Sequence, residues 1–174
     1  MKMPEIEVLK CIESRISVRS FTDRSIPDSM ADVLLNAGFC APSASNMRPR
    51  HFIVISDRVN LQEIGGFGPN TKPFSGATLG IIICGDKAVQ SNSELMMADC
   101  SAATQNILLA AHAQGIGAVW CGVVSDSPFF KYLIQKLGIP APIIPVCSIA
   151  LGYPAETRPP EPRFNPKKIH REYW

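Results

Sequence analysis

The sequence predicts a domain of mixed helices and strands, and three kinds of pattern support this. Two helical patterns come first, within residues 6–37. Short apolar runs typical of buried strands follow, most clearly TLGIIICG at 78–85. A long helical segment at 92–115 then separates these runs from two further strands. This order of elements leaves both α/β and α+β open.

The first two helices are predicted from the spacing of their apolar residues. One apolar stripe at 6–12 follows Pro4, a residue that suits the first turn of a helix. A second stripe at 30–37 lies within IPDSMADVLLNAGFCAPS. We expect Asp28 to be its N-cap and Pro42 to end it.

Two strands and a long helix follow. HFIVIS at 51–56 predicts the first strand, and TLGIIICG predicts a second that is buried on both faces. The intervening GGFGPNTKPFSG, at 65–76, is rich in Gly and Pro and predicts a mobile loop. The long helix at 92–115 carries many small residues, which would let another helix approach closely, and it ends at a glycine.

The last third of the chain predicts a strand, a helix and a final strand. GAVWCGV and PVCSIALGY have strand character, and SPFFKYLIQKLG between them is a helix with Ser127 as N-cap and Pro128 at the first helical position. Five prolines and many charges then occupy residues 154–174. We therefore predict one domain over residues 1–153, with 154–174 as an extended arm that belongs to the same domain.

Composition excludes several classes of function. Of 174 residues, 46% are hydrophobic and only 18% are charged, which hints at a buried subunit interface. A net charge of +2 gives no electrostatic case for binding nucleic acid or an anionic membrane. The N-terminal residues lack a signal-peptide core and no apolar run could span a bilayer, so we expect a cytoplasmic location. The six cysteines show no metal-ligand spacing, so we expect reduced thiols and no metal site.

No common catalytic motif is present, which leaves either a binding protein or an enzyme whose cofactor carries the chemistry. Three polar segments remain as candidates. They are ESRISVRSF at 13–21, APSASNMRPRHF at 41–52 and EPRFNPKKIHREYW at 161–174. Each alone is most simply a solvated surface, but paired arginines such as Arg15 and Arg19 also suit an oxyanion, because guanidinium donors match a phosphate.

Together, these segments resemble the nitroreductase-like family of FMN-dependent flavoproteins, in its compact branch. ESRISVRSF resembles the family's RRSxRxF opening, and APSASNMRP resembles its APSxxNxQP loop. The resemblance continues through ADCSAATQNILLAAHAQGIG, AVWCGV with the LGIP that follows, and ALGYPAE with the terminal PRFNPKK. These segments keep the family's order and cover nearly the whole chain.

The resemblance implies an α+β fold with a central, mostly antiparallel sheet flanked by helices. It also implies an intertwined homodimer with FMN at the subunit interface. Such an enzyme passes a hydride from NAD(P)H through flavin N5 to a small acceptor such as a nitroaromatic or a quinone, with ping-pong kinetics. No side chain has to act as a catalytic residue, because the chemistry takes place on the flavin.

The resemblance also assigns the cofactor-binding residues. Arg15, Ser17, Arg19 and Arg163 would hold the phosphate and ribityl end, with Lys167 as a helper. Residues of the second segment would reach the flavin that the other subunit binds. In a third group, Cys121 and Gly122 would bring backbone groups near N5 and O4, and Trp120 would lie in the core or beside the ring. The second group consists of Pro42, Ser43, Ser45 and Asn46, and the third of Trp120, Cys121 and Gly122.

Several alternatives stay open. Arg48 and Arg50 stand where the family usually has Gln and an aromatic residue, and either could favour anionic acceptors if it faced the site. Asn70 and Lys72 could approach the flavin edge. A flavin-binding carrier or sensor with little turnover would share every FMN contact. A nucleic-acid module built on the basic tail is disfavoured by the low net charge.

Overall fold

Four antiparallel strands form the centre of the fold. The structure is a computed structural model, and it describes residues 5–174. The strands are β1 (Arg50–Ile55), β2 (Leu79–Asp86), β3 (Gly117–Gly122) and β4 (Ile143–Gly152), in the spatial order β1-β2-β4-β3. Every neighbouring pair is antiparallel, so the fold is α+β.

Among residues 5–174, five helices flank the sheet, and short 3₁₀ turns occur in two of the connections and in the C-terminal arm. The helices are α1 (Glu5–Ser14), α2 (Asp28–Phe39), α3 (Arg58–Gly65), α4 (Ser93–Ala113) and α5 (Pro128–Lys136). The 3₁₀ turns are Ala44–Asn46, Lys72–Gly76 and Pro166–Lys168. No helix among residues 5–174 combines the length and apolarity needed to cross a membrane.

Both faces of the sheet are covered, as the apolar β2 run predicts. Ile81 and Ile83 pack with residues of α2 and α4 on one face, including Leu34. Ile82 belongs to the core on the other face, with Leu61 of α3 and residues of α5. Successive side chains of a strand point to opposite faces, so β2 supplies both cores. The prediction that this strand is buried on both faces is confirmed.

The helix ends are predicted correctly in some places and incorrectly in others. Ser127 caps α5 by accepting a hydrogen bond from the Phe130 N–H, as predicted. The expectation that Asp28 caps α2 is wrong, because the extended Pro27 occupies the N-cap and Asp28 is already helical. There its carboxylate can still interact favourably with the helix dipole. The predicted role of Pro4 lies outside the described residues.

The Gly- and Pro-rich segment at 65–76 is more regular than predicted. The helix α3 enters it and ends at Gly65, and a 3₁₀ turn occupies Lys72–Gly76. Phe74, within this turn, is completely buried in the core. A buried aromatic side chain anchors the turn to the sheet, a tertiary effect that the glycines and prolines do not reveal.

The C-terminal arm leaves the sheet beside the segment that follows α1. Phe21 forms a β-bridge with Pro154, and the Ala155 N–H donates to the Ser20 carbonyl. Beyond this point, residues 155–174 are exposed and mostly without regular structure, as predicted for an extended arm. The short turn Pro166–Lys168 interrupts it.

Candidate functional site

Two arginines of the arm return to the segment that follows α1. The Arg163 guanidinium donates to the carbonyls of Glu13 and Arg15, at 3.3 and 2.7 Å. Arg158 donates to the carbonyl of Ser17 at 3.3 Å. These contacts close a first pocket, which is lined by Arg15, Arg158 and Arg163. The structure therefore brings Arg15, Ser17 and Arg163 together at one pocket.

This pocket holds more positive than negative charge. The Arg15 guanidinium donates no hydrogen bond to any described residue, although it is partly buried. Burial, and then the neighbouring Arg163 charge, lower the pKa of Arg15. Glu161 also lines the pocket, but no carboxylate in the described part of the chain lies within ion-pair distance of these arginines. Uncompensated cations with free donors suit an oxyanion.

Arg19 lies in a neighbouring pocket rather than beside Arg15. This second pocket is also lined by Lys72, Pro69 and Gly76, which belong to the segment before β2. Between the two arginines, Val18 is buried and its N–H donates to the Ala118 carbonyl on β3 at 3.0 Å. The segment at 15–19 thus runs along the edge of the sheet and presents one arginine to each pocket. Asn70 is exposed and does not line the second pocket.

The edge of β3 offers backbone donors beyond the contact with Val18. Because Ala118 points its carbonyl outward and strand residues alternate, the backbone groups of Trp120 and Gly122 also point away from β4. A side chain at Gly122 would meet open space. The face of the strand over Gly122 is therefore open.

Cys121 has the opposite orientation to its neighbours. It pairs with Ser148 on β4, and the Ser148 hydroxyl donates to its carbonyl at 2.8 Å. Burial raises the pKa of the Cys121 thiol to about 11. A thiol that is protonated at neutral pH and shielded from solvent is a poor nucleophile. The side chain of Cys121 is thus part of the core.

The second polar segment lies apart from both pockets. The Ser43 hydroxyl accepts from the Arg48 N–H at 2.9 Å, and the Asn46 side chain accepts from the Arg48 Nε at 2.8 Å. Pro42 and Ser45 line neither pocket, and Lys167 on the arm is also absent from them. Within one chain, these predicted residues do not meet Arg15 or Arg19.

The sequence reasoning missed one residue of the first pocket. Arg158 lines the first pocket, and its position in the same Pro-rich stretch as Arg163 was the available signal. His112 at the end of α4 lies 2.8 Å from the hydroxyl of Ser14. That hydroxyl donates to the Lys10 carbonyl, so it accepts from His112. Burial, and then the Arg15 charge, lower the pKa of His112.

The profile of the family described as "Nitroreductase family" matches residues 12–67 and 69–153. The chain belongs to this family. The resemblance seen in the sequence is therefore confirmed, and so is the fold that it implied. Residues 5–174 contain no cluster of three His, Cys, Asp or Glu side chains that could hold a metal ion.

Relatives of this nitroreductase-family chain are similar over nearly its whole length. A protein of Methanothermobacter thermautotrophicus, provisionally named NADH dehydrogenase/NAD(P)H nitroreductase, is 39% identical over 173 residues, which are 99% of this chain and 91% of that protein. A crystal structure from Parabacteroides distasonis, provisionally given the same name, has a TM-score of 0.90 at 36% identity and covers 97% of this chain and 99% of its own.

A third relative carries a flavin. The structure of a provisionally named nitroreductase from Desulfovibrio desulfuricans was determined in complex with FMN. It is 29% identical to this chain with a TM-score of 0.83, and the match covers 100% of this chain and 99% of that one.

Proposed function

We propose that this chain is an FMN-dependent oxidoreductase that takes reducing equivalents from NAD(P)H and passes them to a small acceptor such as a nitroaromatic or a quinone. The observation that carries the proposal is the pocket in which Arg15, Arg158 and Arg163 meet without a carboxylate partner. Membership of the nitroreductase family and similarity to an FMN-bound structure support it.

The described residues fit FMN at both ends of the cofactor. The three arginines supply guanidinium donors of the kind that a phosphate monoester prefers. The face of β3 over Gly122 is open, and the edge of the strand supplies outward N–H groups, which together suit a planar ring system. Arg19 and Lys72 line the second pocket, and they would contact the ribityl chain or the edge of the ring.

The phosphate contacts are strong enough to matter for affinity. A hydrogen bond to a charged group contributes about 1.5–3 kcal/mol. Three such bonds, from Arg15, Arg158 and Arg163, would supply much of the roughly 8 kcal/mol that corresponds to micromolar binding. Ser17 lines the same pocket and would add a neutral contact. Lys167 would help only if the exposed arm moved toward the pocket.

The protein's own part in the reaction is to bind and to stabilise charge. The chemistry that bound FMN would supply is hydride transfer through N5 from NAD(P)H to the acceptor. The outward N–H groups of Trp120 and Gly122 would donate to negative charge on a ring at this edge, which is an oxyanion-hole type of effect. Cys121 would contribute only through its place in the strand, because its thiol is buried.

A homodimer would complete the site. We propose that the second segment, with Pro42, Ser43, Ser45 and Asn46, reaches the flavin bound by a partner copy, and that the single domain of residues 1–153 sends its arm, 154–174, across that partner. Large apolar side chains left exposed in one copy support this. They are Val8, Leu9 and Ile12 on α1, and Phe164, Tyr173 and Trp174 on the arm. Light scattering that gave the mass of a monomer at micromolar concentration would contradict it.

An anaerobic titration tests the proposed activity. The purified protein is reconstituted with FMN and desalted, and NADH or NADPH is then added without oxygen. We expect flavin absorption that survives desalting and bleaches within seconds. Retention of FMN without bleaching would indicate a carrier or sensor instead. With an acceptor present, initial-rate plots should run parallel, because both substrates use one site in turn.

A further inference from the structure

The loop between α2 and β1 has an unfavourable backbone. Ser45, Asn46 and Arg48 all have positive φ angles, at 49°, 56° and 54°. Residues with a side chain seldom adopt this left-handed region, and three of them within four positions require compensation from the surrounding structure. Hydrogen bonds inside the loop, such as that from the Arg48 N–H to Ser43, supply only part of it.

The side chain of Arg50 supplies a contact from outside the loop. Arg50 is the first residue of β1 and is only 5% exposed. Its guanidinium donates to the carbonyls of Pro42 at 3.1 Å and Phe39 at 3.2 Å, and also to that of Ala41. One planar group therefore binds three carbonyls over the end of α2 and the start of the loop. No carboxylate of the described residues forms an ion pair with Arg50.

A buried carboxylate holds the other side of the same segment. Asp99 lies on α4 and is only 4% exposed. Its Oδ1 accepts a hydrogen bond from the Ala44 N–H at 2.8 Å. Arg50 and Asp99 thus fix consecutive parts of residues 39–44 from β1 and α4. Burying a charge is costly, and each of these charges is directed at the loop backbone.

We propose that Arg50 and Asp99 are positioning residues that hold residues 42–46 ready to meet the flavin. This inference rests on the proposed function, because it gives the loop its ligand. A loop that populates its binding conformation only part of the time weakens binding in proportion to that population. The contacts of Arg50 and Asp99 keep the population high before FMN arrives. The two charged side chains therefore act on affinity without touching the cofactor.

Arg50→Lys is the decisive variant. Lysine keeps the charge and the aliphatic stem, but its single ammonium cannot reproduce a planar fork on three carbonyls. We expect roughly a tenfold rise in the Kd for FMN, as for a loop that is competent about a tenth of the time. Asp99→Asn should act in the same direction. Arg58→Lys is the matched control, since Arg58 donates to the Ala77 carbonyl, outside this loop.

Two further readouts distinguish a positioning role of Arg50 from a general effect on stability. Amide hydrogen exchange in the FMN-free protein should speed up at Ala44 and Met47 in Arg50→Lys, while amides of β2 stay protected. The core variant Leu133→Ala, on the other face of the sheet, should lower the unfolding temperature without changing exchange in the loop. Visible circular dichroism of the bound flavin at saturating FMN should match the wild type in both variants, because binding selects the same loop conformation.

The outcomes distinguish this inference from the proposed function. If the wild-type protein binds no FMN, the proposed function fails, and the inference fails with it as a statement about affinity. If the wild type binds FMN and Arg50→Lys binds it equally well with unchanged exchange at Ala44, the inference alone is overturned. Faster loop exchange together with weaker FMN binding, absent from both control variants, supports it.

Discussion

Removing the charge of Arg15 should weaken FMN binding while leaving the free protein at least as stable. The Arg15 guanidinium donates to no described residue, and the neighbouring charge of Arg163, another cation, lowers its pKa after burial does. Arg15→Gln therefore removes an unfavourable interaction from the free protein and a favourable one from the complex. A charge-assisted hydrogen bond contributes about 1.5–3 kcal/mol, which corresponds to a rise in Kd of about 10- to 150-fold.

Titration with two flavins tests this reasoning. Quenching of flavin fluorescence gives the Kd for FMN and for riboflavin, which has the same ring but no phosphate. We expect Arg15→Gln to weaken FMN binding and to leave riboflavin binding nearly unchanged. The exposed Arg171 lines neither arginine pocket, so Arg171→Gln is the control. Equal losses for both flavins, or a lower unfolding temperature of the free variant, would refute a phosphate-specific role for Arg15.

Three further predictions follow from the site. Gly122→Val should fold normally, because its side chain meets open space, but should weaken FMN binding in a fluorescence titration; Gly85→Ala should instead lower the unfolding temperature, since its Cβ would clash with a methionine. The pKa of His112 is lowered from 6.5, so its contribution to stability is present above pH 6.5 and is lost as the pH falls toward the folded-state pKa. The urea midpoint of unfolding should therefore change less between pH 7.5 and 5 in His112→Asn than in the wild type. Cys121→Ala should keep NAD(P)H turnover within a few-fold, because a buried thiol with a pKa of about 11 takes no part in it.

Local signals in the sequence account for most of the core. The β2 run TLGIIICG is apolar at every central position, and only a strand covered on both faces can bury all of it. Ser127 followed by Pro128 identifies the start of α5 because both residues act within one turn of backbone. These features depend on neighbours in the chain, so the sequence predicts them well.

Features that depend on distant contacts were missed or misplaced. The helix α3 is only eight residues long, and its fully buried side chains are few, so RVNLQEIG carries little helical periodicity. The 3₁₀ turn after it is anchored by Phe74, whose burial depends on the sheet beneath. Arg158 and Arg163 are far from Arg15 in the chain, and only the path of the arm brings them to one pocket.

The arginines show most clearly why the site needs the structure. Arg15 and Arg50 both stand in polar segments beside serines or prolines, and both could bind an anion. In the fold, Arg50 uses its guanidinium on three backbone carbonyls and is closed to solvent, whereas Arg15 keeps its donors free beside a second cation. A buried guanidinium whose terminal nitrogens donate to backbone carbonyls holds the fold together, and one with free donors is available to a ligand. This difference, rather than residue type, separates the proposed phosphate pocket from the loop that Arg50 holds.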